Sequence, residues 1–211
     1  MSDKKIIIAA VILSLLLIGG GWYYSKNHPP TAAIVNSPKT NQLPVSVAGI
    51  SLGNPAAPVV IEEYTNFLCP ACASFALVTF DQIKEDYIKP GRVKFIFYIF
   101  PPLELAQAAI CAEEQGKFAE YHAYVFEHQT QITKEGDLKD FAVNVGIDGT
   151  QFAACYAKEE IKTKAAKWTE EGNKREIDST PTFFINGQKL VGAQPYSDFK
   201  KIIDEKLNQG Q

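Results

Sequence analysis

The stretch FLCPACASF, Phe67 to Phe75, sets two cysteines, Cys69 and Cys72, around Pro70 and Ala71. Such a pair can hold a metal, close a structural bridge, or cycle between dithiol and disulfide. Immediately upstream, VVIEEYTNF predicts a strand over Val59–Tyr64, buried on both faces apart from Glu62 and Glu63 and ended by a turn. Adjacent strand residues point to opposite faces, so those two acids should diverge. Downstream, CPACASFALVTFDQIKEDYI predicts a helix with Phe75, Leu77, Phe80, Ile83 and Ile88 inward and the cysteine pair in its first turn. Pro70 suits a first turn, whose N–H has no intrahelical partner. A thiol at that position meets the positive end of the helix dipole and free backbone N–H groups, which favour the thiolate. Cys69 therefore reads as the exposed, reactive sulfur. Cys72, one turn further in, reads as the buried thiol that resolves a mixed disulfide.

The metal reading lacks ligands. Zinc would need a second closely spaced pair, but Cys111 and Cys155 are isolated, and His28, His122 and His128 form no ligand pattern. A purely structural Cys69–Cys72 bridge would close a very small loop, with little entropic benefit. Redox cycling is the reading that remains favoured.

The chain begins with Lys4 and Lys5 before an apolar or small run from Ile6 to Tyr24. As a helix this run would span roughly 28 Å, close to the hydrocarbon thickness of a bilayer. Trp22, Tyr23 and Tyr24 sit where an interfacial aromatic belt would lie. Residues 1–24 are expected to form an uncleaved signal-anchor, a transmembrane helix. A cleaved signal peptide is the rival, although no small-residue cleavage site follows promptly. Either reading puts the remainder outside the cytoplasm, because the lysines favour an N-inside orientation. Residues 25–45, with prolines at 29, 30, 38 and 44, read as a linker. Residues 46–211 are enough for one domain with a sizeable core. The formal net charge of −3 offers no basic footprint for nucleic acid.

Within the domain, GRVKFIFYIF alternates Val93, Phe95 and Phe97 as a second strand, stopped at Pro101-Pro102. From about 103 to 177 the sequence reads helical throughout. Phe118, Tyr121 and Val125 share one face, as do Phe152, Cys155 and Tyr156, and Thr150 is a candidate N-cap. STPTFFING and QKLVG then predict a hairpin turning at Asn186-Gly187. A closing helix places Phe199, Ile202, Ile203 and Leu207 inward, with Ser197 as a candidate cap. The expected order is strand, helix, strand, a helical block, then strand, strand, helix.

A strand running into CPAC at a helix start, a helical insertion, and STPTFFING after it together resemble the DsbA-like branch of the thioredoxin superfamily over most of the chain after Val45. The resemblance implies an α/β thioredoxin fold with an inserted helical domain. It implies Cys69 as nucleophile, Cys72 as resolving thiol, and Pro181 as a cis-proline facing the pair, in a loop that pairs with the substrate main chain. Thr180 would tune the thiolate, and Glu63 would be a buried acid beneath the pair able to move the proton of Cys72. Two departures stand out. The inner dipeptide is Pro-Ala, without the histidine of the strongly oxidising enzymes, and Asn66 stands where relatives often carry an acid. Losing an imidazolium beside Cys69 should moderate the potential, to between about −270 mV for thioredoxin and about −120 mV for DsbA.

In an oxidising compartment Cys111 and Cys155 are expected to form a disulfide between two helices, as in some DsbA-like relatives, rather than to remain free buried thiols. Its loop would contribute roughly 3–4 kcal/mol in the chain-entropy account. The expected function is extracytoplasmic thiol–disulfide exchange, donating the Cys69–Cys72 disulfide to reduced exported proteins. No cofactor is expected, and a membrane redox partner would reoxidise the pair. A disulfide isomerase or reductase, or a non-catalytic membrane-tethered binding module, are the alternatives.

Overall fold

The computed structural model describes residues 48–209. The expected membrane helix over 1–24 and linker over 25–45 lie outside the described residues. Among the described residues, no helix is long and apolar enough to cross a membrane.

The predicted first strand is β2 (Val59–Thr65) and lies at the centre of a five-stranded sheet of order β1-β3-β2-β4-β5. The other strands are β1 (Ile50–Gly53), β3 (Val93–Ile99), β4 (Thr182–Ile185) and β5 (Gln188–Val191). Only β2 and β3 pair in parallel. A parallel pair needs a crossover connection, and the helical path beginning at the cysteine pair supplies it. That path runs through α1 (Pro70–Ser74), a π-helical turn (Phe75–Thr79), α2 (Phe80–Ile83) and a second π-helical turn (Lys84–Ile88). Phe75, Phe80, Ile83 and Ile88 are buried as expected, but Leu77 is exposed. Leu77 lies about 200° around a regular helix from Phe75, so the two cannot share a face.

β1 is an element missing from the expected order. It pairs antiparallel with β3, setting Ile50 opposite Phe97 and Leu52 opposite Phe95. The hairpin is where Asn186-Gly187 predicts it. Both residues take positive φ, 43° and 84°, as a two-residue turn of that kind requires. The Asn186 side chain also accepts from Val60 N–H at 2.7 Å and donates to Pro58 O at 3.1 Å, stitching the hairpin to β2.

Between β3 and β4 lie α3 (Leu103–Glu114), α4 (Phe118–Glu127), a 3-10 turn (Gln129–Gln131), α5 (Glu135–Asn144), α6 (Gly149–Tyr156) and α7 (Glu159–Lys174). The chain closes with α8 (Tyr196–Gln209), burying Phe199, Ile202, Ile203 and Leu207. Neither expected cap holds. Asp148, not Thr150, caps α6, accepting from the N–H groups of Thr150 and Gln151 at 2.8 Å each. A carboxylate there satisfies two orphan donors and the helix dipole together. Ser197 falls inside α8, and its hydroxyl turns to Asp198.

Strand alternation separates the two acids. Glu63 stands opposite Phe97 and Phe183, on the face covered by Phe75, whose ring lies 4.5 Å from that of Phe183. Glu62 takes the other face and meets Arg175 at 3.1 Å. Arg175 also reaches Glu171 at 3.3 Å and lies 4.9 Å from the Phe184 ring. There Tyr64 stacks on Tyr98, and Trp168 of α7 packs edge-on to Tyr98. The insertion also grips the sheet through His122 of α4. Its buried ring lies within 6 Å of the rings of Phe67, Phe80, Phe97, Phe118 and Phe126. Burial pushes its pKa down to about 3, so the imidazole is neutral.

Candidate active site

Cys69 is the N-cap residue of α1, with extended backbone, and Pro70 follows at the first helical position. An Asn66–Cys69 turn delivers it: Cys69 N–H donates to Asn66 O at 3.0 Å, and Leu68 N–H to Asn66 Oδ1 at 2.7 Å. The half-buried Cys69 sulfur lies 3.2 Å from the carbonyl oxygen of Thr180, to which its thiol donates. The Thr180–Pro181 peptide is cis. Thr180, 111 residues downstream of Cys69, thus lies against the outer sulfur of the pair. Cys72 is fully buried, and Asn66 N–H points at its sulfur from 3.5 Å. Both cysteines are free thiols.

The two thiols are pushed apart in acidity. Burial works against the Cys69 thiolate, but the Thr180 side chain and the amides at the start of α1 outweigh it and hold its pKa below the ordinary value. Burial drives Cys72 up to about 12, and the negative charge of Glu63 adds to the rise. Glu63 is itself buried, and neither carboxyl oxygen finds a hydrogen-bond partner among the described residues. Burial raises it to about 8, and charge on Cys69 raises it further. Glu63 is therefore largely a neutral acid at neutral pH, electrostatically linked to both sulfurs.

The family model described as Thioredoxin matches residues 46–205. The chain belongs to the thioredoxin family. A probable disulfide bond formation protein D of Bacillus anthracis is 28% identical, with 75% of this chain and 78% of that relative aligned. Among solved structures, alpha-DsbA1 of Wolbachia pipientis is similar at 26% identity and a TM-score of 0.69, over 80% of this chain and 94% of that one. Oxidised BdbD from Bacillus subtilis is similar at 28% identity and a TM-score of 0.66, over 76% and 93%. This thioredoxin-family chain is a DsbA-like protein disulfide oxidoreductase, and its chemistry is thiol–disulfide exchange.

Cys111 and Cys155 are the other two cysteines of this DsbA-like protein. They form a disulfide that ties α3 to α6, with Cα atoms 5.8 Å apart. Two further residues shape the site of the oxidoreductase. Asn66 contributes backbone and side chain to the cysteine turn, and its Nδ2 donates to Pro101 O. This tethers the end of β2 to the start of the insertion. Gln129, in the 3-10 turn after α4, donates to Phe67 O and Cys69 O. The sequence carries no local signal for Gln129, because its contacts cross sixty residues and end on backbone atoms.

Proposed function

We propose that this oxidoreductase introduces disulfides into exported proteins through its Cys-Pro-Ala-Cys site, outside the cytoplasm, held at the membrane by residues 1–24. In the oxidised enzyme a substrate thiolate attacks Cys69. The Cys69–Cys72 bond breaks, a mixed disulfide forms, and Cys72 leaves as a thiolate that takes a proton from Glu63. A second substrate thiolate then attacks the substrate sulfur of the mixed disulfide and expels Cys69 as a thiolate. The substrate loses two electrons and the enzyme gains them. A membrane redox partner, with access to an electron acceptor in the same bilayer, removes them again. The Thr180–Pro181 loop holds the substrate main chain beside Cys69.

The observation that supports this reading most is the asymmetry of the pair. Cys69 is half-buried, beside Thr180, with its thiolate favoured, whereas Cys72 is fully buried with its thiol form favoured. A stable leaving thiolate at the accessible sulfur speeds release of the oxidised product. The test is disulfide transfer to a reduced, unfolded protein. Cys69→Ser should abolish transfer, and in cells Cys72→Ser should accumulate mixed disulfides, formed when the Cys69 thiolate attacks a disulfide already present in a substrate, whose identity names the substrates. Transfer that survives Cys69→Ser would reject the assignment. Carbonate extraction of the full chain should leave it in the membrane fraction, and release into the soluble fraction would reject the anchor.

A further inference from the structure

The exchange site is built on the sheet and α1, yet one polar side chain of the helical insertion reaches into its backbone. Gln129 Nε2 lies 2.7 Å from Phe67 O and 3.0 Å from Cys69 O, so its two N–H groups can serve both carbonyls at once. These carbonyls flank the turn that delivers the Cys69 sulfur. The Cys69 carbonyl also accepts from Ala73 N–H at 3.1 Å, the first helical bond of α1. Gln129 thus touches the residue that both carries the nucleophile and opens the helix.

The contact belongs to a wider grip. The Phe67 ring packs against Phe126, Tyr121 and His122, all on α4. Gln129 follows α4 directly, in a turn closed by Gln131 N–H donating to His128 O at 2.8 Å. Ring packing holds the Phe67 side chain, and the Gln129 amide holds the backbone on either side of Leu68.

We infer that Gln129 is a positioning residue for disulfide exchange: its carboxamide fixes the Phe67–Cys69 turn so that the Cys69 sulfur stays against Thr180 at the amino end of α1. The inference rests on the reading of Cys69 as the reacting sulfur. The physical effect has two parts. Two hydrogen bonds hold the angle at which the first amides of α1 meet the sulfur, and hydrogen-bond strength falls steeply with misalignment. The amide also neutralises the negative end of the Cys69 carbonyl dipole, which would otherwise repel charge on the same residue's sulfur. Without Gln129, the thiolate at Cys69 is less favoured and a slower leaving group.

The experiment compares Gln129→Met, which keeps length and loses both donors, with Gln129→Lys, which keeps N–H donors on a long chain. The full protein is used, in a Cys72→Ala background for titration and with Cys72 intact for transfer. The readouts are the pH dependence of Cys69 alkylation, the rate of product release from the mixed disulfide, and the urea midpoint. Gln129→Met should raise the pH at which Cys69 becomes reactive and slow release by about threefold or more. Gln129→Lys should stay within about twofold of the parent. If Gln129→Met titrates and transfers like the parent, whatever its urea midpoint, the side chain is merely structural and the inference fails. Should Gln129→Met not fold, a Gln129→Lys protein that folds but titrates away from the parent at high salt, where the added charge is screened, would overturn it, and one that titrates with the parent there would support it. A parent Cys69 with an ordinary thiol titration, and transfer surviving Cys69→Ser, would reject the underlying reading and the inference with it.

Discussion

At the scale of single residues, the site separates two chemically identical thiols. Cys69 is pulled toward thiolate by donors from Thr180 and from α1, while Cys72 is pushed toward about 12 by burial and by Glu63. Brief alkylation of the reduced protein at pH about 7 should therefore modify Cys69 and spare Cys72, since the thiolate is the nucleophile. Peptide mapping that finds the two labelled equally would contradict the asymmetry. Glu63, raised to about 8, is poised to move protons near neutrality. Glu63→Gln should leave alkylation of Cys69 fast but slow the step in which Cys72 changes protonation, by roughly tenfold or more. Stopped-flow kinetics of mixed-disulfide formation and resolution would separate these effects, and unchanged kinetics would remove Glu63 from the proton path.

At the scale of elements, the fit between α7 and the residue that follows β3 is close. A Cβ at Gly172 would lie 2.3 Å from Cε2 of Phe100, whose ring is set edge-on to Tyr64. Alanine is intrinsically the better helix former by about 1 kcal/mol, but overpacking a core contact costs about 1–3 kcal/mol. Gly172→Ala is therefore expected to lower the urea midpoint; a higher midpoint would mean that Phe100 moves aside freely. What the sequence revealed follows the same division. β2, the cysteine helix and the Asn186-Gly187 hairpin were legible because each is specified by neighbours in sequence. β1 was not, since only Ile50 and Leu52 carry alternation over four residues beside a glycine. The Asp148 cap was legible in principle, as an acid just before a helix, but Thr150 competed with it. Gln129 was not legible as a site residue, because it acts on backbone atoms sixty residues away that only the fold brings near; of Asn66, the local turn to Leu68 and Cys69 is specified by neighbours, but its tether to Pro101 O is not.

At the scale of the molecule, two buried groups give stability opposite pH slopes. Between 4.5 and about 8 the folded state keeps Glu63 protonated while the unfolded chain ionises it, so raising the pH through this window favours unfolding. Between about 3 and 6.5 the folded state keeps His122 neutral while the unfolded chain protonates it, so lowering the pH through this window favours unfolding. Their slopes offset from about 4.5 to 6.5, where the reduced protein should be most stable. Glu63→Gln should flatten the alkaline limb and His122→Phe the acid limb in urea titrations, and a profile unchanged by both would contradict these environments. The Cys111–Cys155 bridge, with a sequence separation of 44, adds a restraint on the insertion. Replacing both cysteines with alanine should cost roughly 3–4 kcal/mol without removing exchange activity. Whether the Cys69–Cys72 pair cycles as an oxidant is read from its equilibrium with glutathione. An oxidant of this kind should show a midpoint between about −270 and −120 mV, above thioredoxin and short of the most oxidising relatives. A midpoint below about −270 mV would contradict the oxidant reading, because such a pair would hold its disulfide rather than donate it.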